Sequence, residues 1–230
     1  ENLPQMAENL YKFSGEYMIY SLQFIIPSIR RVGPHNIDLL SILIGSLLGD
    51  SYLERHGKGS RFCFQQEHTN SSYLLWLHNE LSLRGYCNQK IPEIKSRIGK
   101  KNTIRYVIRF KTWTYTSFNY FQDNFYKNNK KIIPFEIIEQ YLTPLALTIW
   151  IMDDGCRSGK GLKISTNSFT YKEVEFLANI LKKKYCLTIS IHKTGSIDQY
   201  CLYIHKKCIS ELFKIVSPWL HPSMKYKFIL

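Results

Sequence analysis

The chain has 230 residues, enough for one large domain or two small fused domains with a sizeable core. Its 31 Lys and Arg against 18 Asp and Glu give a net charge of +13, which indicates nucleic acid as partner before an anionic membrane surface; the plainer alternative is solubility. No apolar run approaches the roughly 18 residues of a membrane span, and the six cysteines lack C-x-x-C spacing, so neither a membrane protein nor a zinc site is expected.

The first part of the chain is predicted to hold an extension, an apolar helix and a strand. Residues 1–35 form an extension to which we assign no chemistry. Asn36 is of the residue type that caps helices, and the almost wholly apolar helix that it begins ends at Asp50. After a glycine turn, residues 61–67 alternate between polar and aromatic side chains, the period of a half-buried strand.

Helices and one clear strand are predicted in the middle of the chain. Leucines on one side predict a helix over 71–84, and Pro92 with the basic run that follows predicts a loop. Residues 103–111 form the clearest strand, with a cationic face outward and an apolar face on the core. That apolar face comprises Ile104, Tyr106, Ile108 and Phe110. Helical character returns over 117–126, and a short helix over 135–142 links the halves.

The second half repeats this order. Pro144 begins a second apolar helix, which ends at Asp154, and Thr170 with Glu173 forms a capping box at the start of another. The remaining predicted elements are strands over 162–167, 187–193 and 200–206 and a helix over 209–216. An internal repeat of about half the chain predicts a pseudo-two-fold molecule, which suits duplex DNA because its backbone has the same local symmetry.

The two apolar helices share one feature that carries chemistry. Gly45 and Gly49 lie on one face of the first helix and let a second helix backbone approach closely. Packed side by side, the two helices would bring Asp50 and Asp154 to the same end. Two close carboxylates repel unless a cation lies beside them, and such oxygen ligands suit Mg²⁺.

Residues 43–50 (LIGSLLGD) and 147–155 (LTIWIMDDG) resemble the motifs of single-chain, two-motif LAGLIDADG homing endonucleases found in fungal mitochondrial introns. The resemblance covers about residues 36–230. Ile149 and Trp150 depart from the small residues of the family motif, and we expect Trp150 to pack opposite Gly45 or Ser46, large against small.

The resemblance implies an α+β fold of two pseudo-symmetric αββαββα halves, whose antiparallel sheets form a DNA-binding saddle. The implied boundaries are an N-terminal extension over 1–35, a first half over 36–133, a linker over 134–143 and a second half over 144–230.

The resemblance also implies the site residues. Asp50 and Asp154 would bind the divalent metals, helped by the backbone carbonyls of Gly49 and Asp153. The side chain of Asp153 has two alternatives, a direct role or, as the preferred one, helix capping. Gln65 matches a polar position near the metals, or else reads DNA bases.

In the second half Ser165, or water or Asn167 instead, would take the place of Gln65. Lys131 and Lys227 match late basic positions in the two halves, where a lysine stabilises phosphorane charge or lowers the pKa of the attacking water; the alternative is a solvated surface charge. The residues expected to contact DNA are Arg61, Arg105, Arg109, Lys111, Lys163, His192, Lys193, Tyr203 and His205.

The implied function is a metal-dependent phosphodiester hydrolase that makes a site-specific double-strand break in a long duplex DNA target. Mg²⁺ is the expected cofactor, Mn²⁺ is a second candidate, and Ca²⁺ is expected to bind without supporting cleavage. Two alternatives stay open: an intron-encoded RNA maturase, with intron RNA as partner, and a DNA-binding relative without activity. A monomer in mitochondria, with no membrane partner, is expected from the resemblance, although no targeting segment is visible.

Overall fold

The computed structural model describes residues 31, 33–99 and 102–228. The predicted N-terminal extension therefore lies almost entirely outside the described residues, and so do positions 100 and 101 of the basic run. Within the described part, each half of the chain contains helices and an antiparallel sheet of four strands.

The first half begins with the motif helix and continues through one sheet. Its elements are α1 (Ile37–Leu48), β1 (Tyr52–His56), β2 (Gly59–Glu67), α2 (Ser71–Leu83), β3 (Ile94–Ile98), β4 (Ile104–Lys111), α3 (Asn119–Phe125) and the two-residue strands β5 (Tyr126–Lys127) and β6 (Lys130–Lys131). The short helix α4 (Phe135–Tyr141) follows.

The second half repeats the helix–strand order of the first. Its elements are α5 (Pro144–Asp154), β7 (Gly155–Ser158), β8 (Gly161–Ser165), α6 (Tyr171–Tyr185), β9 (Ile189–Lys193), β10 (Tyr200–Ile204) and α7 (Ile209–Val216). Short 3₁₀ turns, Ser217–Trp219 and Pro222–Phe228, end the described chain.

The two larger sheets have the same topology. Strands run in the order β1-β2-β4-β3 in the first and β7-β8-β10-β9 in the second, and every neighbouring pair is antiparallel. The predicted αββαββα organisation of two pseudo-symmetric halves is therefore confirmed.

Helices α1 and α5 pack directly against each other in the centre of the molecule. The side chain of Asn36 accepts the Leu39 N–H at 2.7 Å and that of Thr143 accepts the Ala146 N–H at 3.1 Å, so both helices begin with a capping bond. A Cβ on Gly45 would lie 2.4 Å from the Ala146 carbonyl oxygen, so only glycine permits this approach. Because the residues around this contact are fully buried, the helix pair forms one core shared by both halves.

The large-against-small contact involves a different residue from the predicted one. The side chain of Ile149, not that of Trp150, faces Gly45, where the missing Cβ would lie 2.8 Å from the Ile149 Cβ. Trp150 is fully buried, and its indole N–H has no hydrogen-bond partner within the described part of the chain. The Gly45 alternative was therefore wrong by one residue, which on a helix is a rotation of about 100°, and the Ser46 alternative stays a prediction.

The secondary structure predicted from the sequence is wrong mainly at the edge strands. Residues 94–98, predicted as loop, form β3, all five residues of which are exposed. In β1 only Leu53 is buried, so this strand also lacked an alternating pattern to detect. An edge strand without a buried face carries no period-2 hydrophobic signal.

The apolar face predicted for β4 is buried over only half its length. Ile108 and Phe110 lie in the core, but Ile104 is 66% exposed and Tyr106 is 49% exposed. Their neighbour is β3, a fully exposed edge strand, so this end of the sheet extends beyond the helices that cover the rest.

None of the helices within the described ranges combines the length and the hydrophobicity that a bilayer crossing requires.

Candidate active site

The C-terminal ends of α1 and α5 bring three aspartates together. Asp50 follows α1, and Asp153 and Asp154 are the last residues of α5. The backbone N–H of Asp50 donates to Oδ2 of Asp153 at 3.3 Å, which joins the two helix ends directly. The predicted juxtaposition of Asp50 with the end of the second motif is therefore present.

Asp154 is a carboxylate in an unfavourable environment. Burial raises its pKa to about 7, and the negative charge of Asp50 acts in the same direction. Lys131 and Lys227 act in the opposite direction without restoring the ordinary pKa. No hydrogen-bond donor reaches this carboxylate from the residues that the structure describes, so it is free to accept a ligand.

The side chain of Asp153 crosses from α5 to the first half. Oδ1 accepts from the Tyr73 hydroxyl at 2.9 Å and from Gln66 Nε2 at 3.4 Å, while Oδ2 accepts the Asp50 N–H. Burial, followed by the charge of Asp50, raises the pKa of Asp153 well above its usual value. Of the two alternatives for this side chain, helix capping of α5 is wrong, since all these donors belong to the first half.

The amide beside Asp50 is that of Gln66, not that of Gln65. Gln66 Nε2 donates to Asp50 Oδ2 at 2.8 Å. Gln65 lies opposite Arg109 in the sheet, and its Oε1 accepts from Arg97 at 3.0 Å. Successive residues of a strand point to opposite faces, so the predicted residue was one position away from the carboxylates. The alternation in the sequence already indicated Gln66, because Phe62 and Phe64, which face the core, lie on the same face of the strand as Gln66.

Among the described residues of the second half, no amide side chain hydrogen-bonds to Asp154 as Gln66 does to Asp50. Ser165 lies in β8 opposite Cys201, and Asn167 Nδ2 donates to Gln199 Oε1 at 3.1 Å. Within the described chain neither residue hydrogen-bonds to Asp154. The two halves therefore differ at the site although their folds match.

Lys131 and Lys227 occupy equivalent places at the two helix ends. The ammonium group of Lys131 donates to the carbonyls of Leu47, Gly49 and Ser51 at 2.9, 3.3 and 2.7 Å. That of Lys227 donates to the carbonyls of Ile151, Met152 and Asp153, the first and last at 3.2 and 3.3 Å.

Burial of these lysines has a clear electrostatic consequence. It lowers the pKa of both, and the three aspartates oppose the shift. Each lysine therefore satisfies the free carbonyls of a motif helix and places a cation at the negative end of its dipole. They are not solvated surface charges, which was the alternative.

The carboxylates fit a divalent cation. Two crowded carboxylates, one of them half-buried and without a donor among the described residues, match the oxygen ligands that Mg²⁺ prefers, and such sites are commonly completed by water and substrate phosphate. No group of three His, Cys, Asp or Glu side chains suited to a metal is found among the described residues. The Gly49 and Asp153 carbonyls, expected to assist, each accept from a lysine but keep a second lone pair.

The outward face of the first sheet carries four of the nine predicted DNA contacts, Arg61, Arg105, Arg109 and Lys111. Arg61 donates to Glu54 at 2.6 Å, and Lys111 donates to the same carboxylate oxygen at 2.7 Å. Burial alone would raise the pKa of Glu54, but its hydrogen bonds to Lys111 and Arg61 lower it to about 2. Arg105 pairs with Glu67, whereas Arg109 forms no ion pair with any described residue.

The second sheet presents a less basic face. Lys163 and Ser190 flank Tyr203 on neighbouring strands, and the ring of His192 stacks on that of Tyr203 with centroids 5.2 Å apart. The His205 ring hydrogen-bonds to the Ser190 hydroxyl on this face. Lys193 follows His192 in β9 and so points to the opposite side from His192, with Ile189 and Ile191; it is exposed at the end of the strand, and its contact with DNA stays a prediction.

Comparison with known proteins agrees with this geometry. A sequence model described as the LAGLIDADG DNA endonuclease family matches residues 40–212. The chain is 49% identical over 207 residues to the cytochrome b mRNA maturase bI2 of Saccharomyces cerevisiae, covering 86% of this chain and 49% of that protein. It is 41% identical over 148 residues to the intron-encoded endonuclease ai4 of Dictyostelium discoideum, covering 62% of this chain and 92% of that protein.

A solved structure matches over most of both chains. The homing endonuclease I-WcaI, bound to its DNA recognition sequence, superposes with a TM-score of 0.77 at 27% identity, covering 86% of this chain and 89% of that one. The chain spans about half the length of the yeast maturase that it matches. From its sequence match and its paired motif helices, the chain belongs to the LAGLIDADG DNA endonuclease family.

Proposed function

We propose that this chain is a site-specific DNA endonuclease that depends on a divalent metal and makes a double-strand break in a long duplex target. The observation that carries the proposal is the end of the α1–α5 pair, where Asp50 meets the half-buried Asp154, a carboxylate to which no described residue donates a hydrogen bond. Carboxylates crowded in this way are stabilised by a cation, and Mg²⁺ is the proposed one, with Mn²⁺ as a substitute.

The proposed mechanism assigns a role to each residue of the site. A bound Mg²⁺ would polarise the scissile phosphate and lower the pKa of a bound water. Asp50 and Asp154 hold that cation, and Gln66 orients the Asp50 carboxylate through its 2.8 Å hydrogen bond. Lys131 and Lys227 fix the ends of both helices and place positive charge beside the phosphate that is attacked.

The strand faces are the proposed DNA contact surface. Arg109 is proposed as a phosphate or base contact of the first sheet, because no described acidic residue forms an ion pair with it. Lys163, His192, Tyr203 and His205 serve the second sheet. The DNA-bound relative I-WcaI supports a duplex partner, and its coverage supports a monomer whose two halves straddle the target, joined by a linker over 134–143. The cytochrome b and intron names of the relatives support a mitochondrial location.

Cleavage of a randomised duplex library tests the proposal. With Mg²⁺ we expect discrete double-strand cuts at one long site, and with Ca²⁺ we expect binding without cuts. Asp50→Asn and Asp154→Asn should each abolish cutting while leaving affinity in Ca²⁺ within about threefold. Cutting that persists in either variant would refute the metal assignment.

A splicing cofactor for intron RNA is the second candidate. The yeast relative at 49% identity is named an mRNA maturase, which favours this function. A folded wild-type chain that binds its intron RNA tightly and cuts no duplex in the library would select this candidate over the first.

A further inference from the structure

At the position before the last aspartate of each motif, the packing leaves room for only one side chain, and Asp153 of the second motif provides it. Its counterpart at the end of the first motif helix is Gly49. A Cβ on Gly49 would lie 2.5 Å from the Asp153 Cβ and 2.6 Å from its Oδ2. The single carboxylate therefore sits in the space that the glycine leaves, and it breaks the two-fold symmetry of the site.

Every hydrogen bond that a described residue donates to the Asp153 side chain comes from the first half. The Tyr73 hydroxyl donates to Asp153 Oδ1, and the backbone N–H of Asp50 donates to Asp153 Oδ2. The Gln66 Nε2 group donates both to Asp153 Oδ1 and to Asp50 Oδ2. Asp153 thus holds Asp50 in two ways. It accepts the backbone N–H of Asp50 directly, and it binds the Gln66 amide that contacts the Asp50 carboxylate.

Two facts define the role that this geometry allows. Asp153 accepts three hydrogen bonds from protein donors, which occupy most of the roughly four lone-pair positions of a carboxylate. Asp154, by contrast, receives no hydrogen bond from the described residues. Asp50 is therefore held at two points, its carboxylate by the Gln66 amide and its backbone N–H by Asp153 Oδ2, whereas the position of the Asp154 carboxylate follows from its place at the end of α5.

We infer that Asp153 is a positioning residue for Asp50 and not for Asp154, so that its loss slows cleavage of one DNA strand more than the other. The inference rests on the proposed endonuclease function. The carboxylate acts through the backbone and amide that it holds, and it contacts neither the metal nor the phosphate.

Strand-specific single-turnover cleavage tests the inference. A duplex carrying the site selected by the wild type is labelled on one strand at a time, and the two rates are compared in Mg²⁺. Asp153→Asn is expected to slow one strand at least about tenfold more than the other, since one oxygen acceptor is lost. Tyr73→Phe, which removes a single donor, is expected to give a smaller bias toward the same strand.

Two further measurements separate positioning from folding. Asp38→Asn, at the other end of α1, is expected to keep the wild-type strand ratio, and melting temperatures identify any variant that is unfolded. Affinity for the site in Ca²⁺ should change less than about threefold in Asp153→Asn. Equal slowing of both strands, or no slowing, would overturn the inference.

A readout that needs no cleavage tests the link itself. Amide hydrogen exchange at Asp50 is expected to be protected in the wild type and to become at least about tenfold faster in Asp153→Ala, because its acceptor is gone. Unchanged exchange would overturn the inference. If the wild type cuts no duplex at all, the proposed function fails, and the exchange at Asp50 still decides whether Asp153 holds it.

Discussion

Carboxylates dominate the site at the scale of single residues. Asp154 and Asp153 are both half-buried beside Asp50, and loss of solvent together with like charge raises the pKa of each. A folded protein tolerates such crowding where function requires it, because the free energy that it costs is recovered when a cation binds.

The raised pKa of Asp154 predicts a dependence of stability on pH. Its folded pKa is about 7 against the ordinary 3.8, so between these values the folded chain binds more protons than the unfolded chain. This group therefore costs stability as pH rises from about 4 to 7, by no more than about 4 kcal/mol.

Urea unfolding in EDTA, at several pH values from 4.5 to 8, measures this dependence. The free energy of unfolding of the wild type minus that of Asp154→Asn should fall as pH rises through this window. Parallel curves for the two proteins would contradict the raised pKa.

The neighbours Gln65 and Gln66 offer a matched pair of variants. Gln66 hydrogen-bonds to the carboxylate of Asp50, and hydrogen bonds to a charged group are worth about 1.5–3 kcal/mol, so Gln66→Leu should slow cleavage about 10- to 100-fold. Gln65→Leu removes the acceptor of Arg97 on the DNA-facing side and should alter target affinity more than rate. If Gln65→Leu slowed cleavage and Gln66→Leu altered only target affinity, Gln65 would be the residue that acts on the carboxylates.

At the scale of elements, the α1–α5 pair sets the position of the site. Each helix begins at a capping residue and ends where a lysine binds its last carbonyls, so both have defined lengths and their ends coincide. The contact at Gly45 fixes how closely the axes approach. A change of a few tenths of an ångström there would move the carboxylates relative to each other.

Gly45→Ala tests this contact. The new Cβ would meet the backbone of Ala146 at 2.4 Å, so the helices must separate, and we expect a loss of about 1–3 kcal/mol in stability together with slower cleavage of both strands. Gly195→Ala is the matched control, since nothing lies within 4 Å of its Cβ position. Equal melting temperatures for the two variants would show that the helix contact is not tight.

At the scale of the whole molecule, the net charge is +13, but several basic side chains on the outward face of the first sheet are paired with acidic residues. Glu54 binds both Arg61 and Lys111, and Glu67 binds Arg105. These pairs hold long cationic side chains in place and reduce the charge available to phosphates. Such an arrangement favours specificity over non-specific affinity.

Glu54→Gln should release two cations to the DNA. We expect tighter binding of unrelated duplex and a log–log salt slope steeper by about 1 to 2, because up to two more phosphates are neutralised. Fluorescence anisotropy in EDTA at several salt concentrations measures both. Glu175→Gln, on the exposed side of α6, should leave the slope unchanged. An unchanged slope in Glu54→Gln would mean that the ion pairs break in the wild-type complex.

The sequence by itself determined the elements with a strong period and the motifs. Two apolar helices ending in Asp50 and Asp154, the capping box at Thr170 and the repeat of the halves were all predictable, because caps and hydrophobic periodicity act over a few residues. Edge strands such as β3 were not, since they bury no face and leave no pattern.

Only the tertiary structure decided which side chains meet at the site. Gln66, not Gln65, contacts Asp50 because it lies on the core-facing side of β2. Ile149, not Trp150, faces Gly45 because of the rotation of α5 about its axis. The absence of a side chain at Gly49 leaves room for Asp153 to reach Tyr73 and Asp50. These outcomes depend on the relative placement of residues far apart in the chain. Local propensity carries no information about that placement, whereas close packing of the two helices leaves a single arrangement.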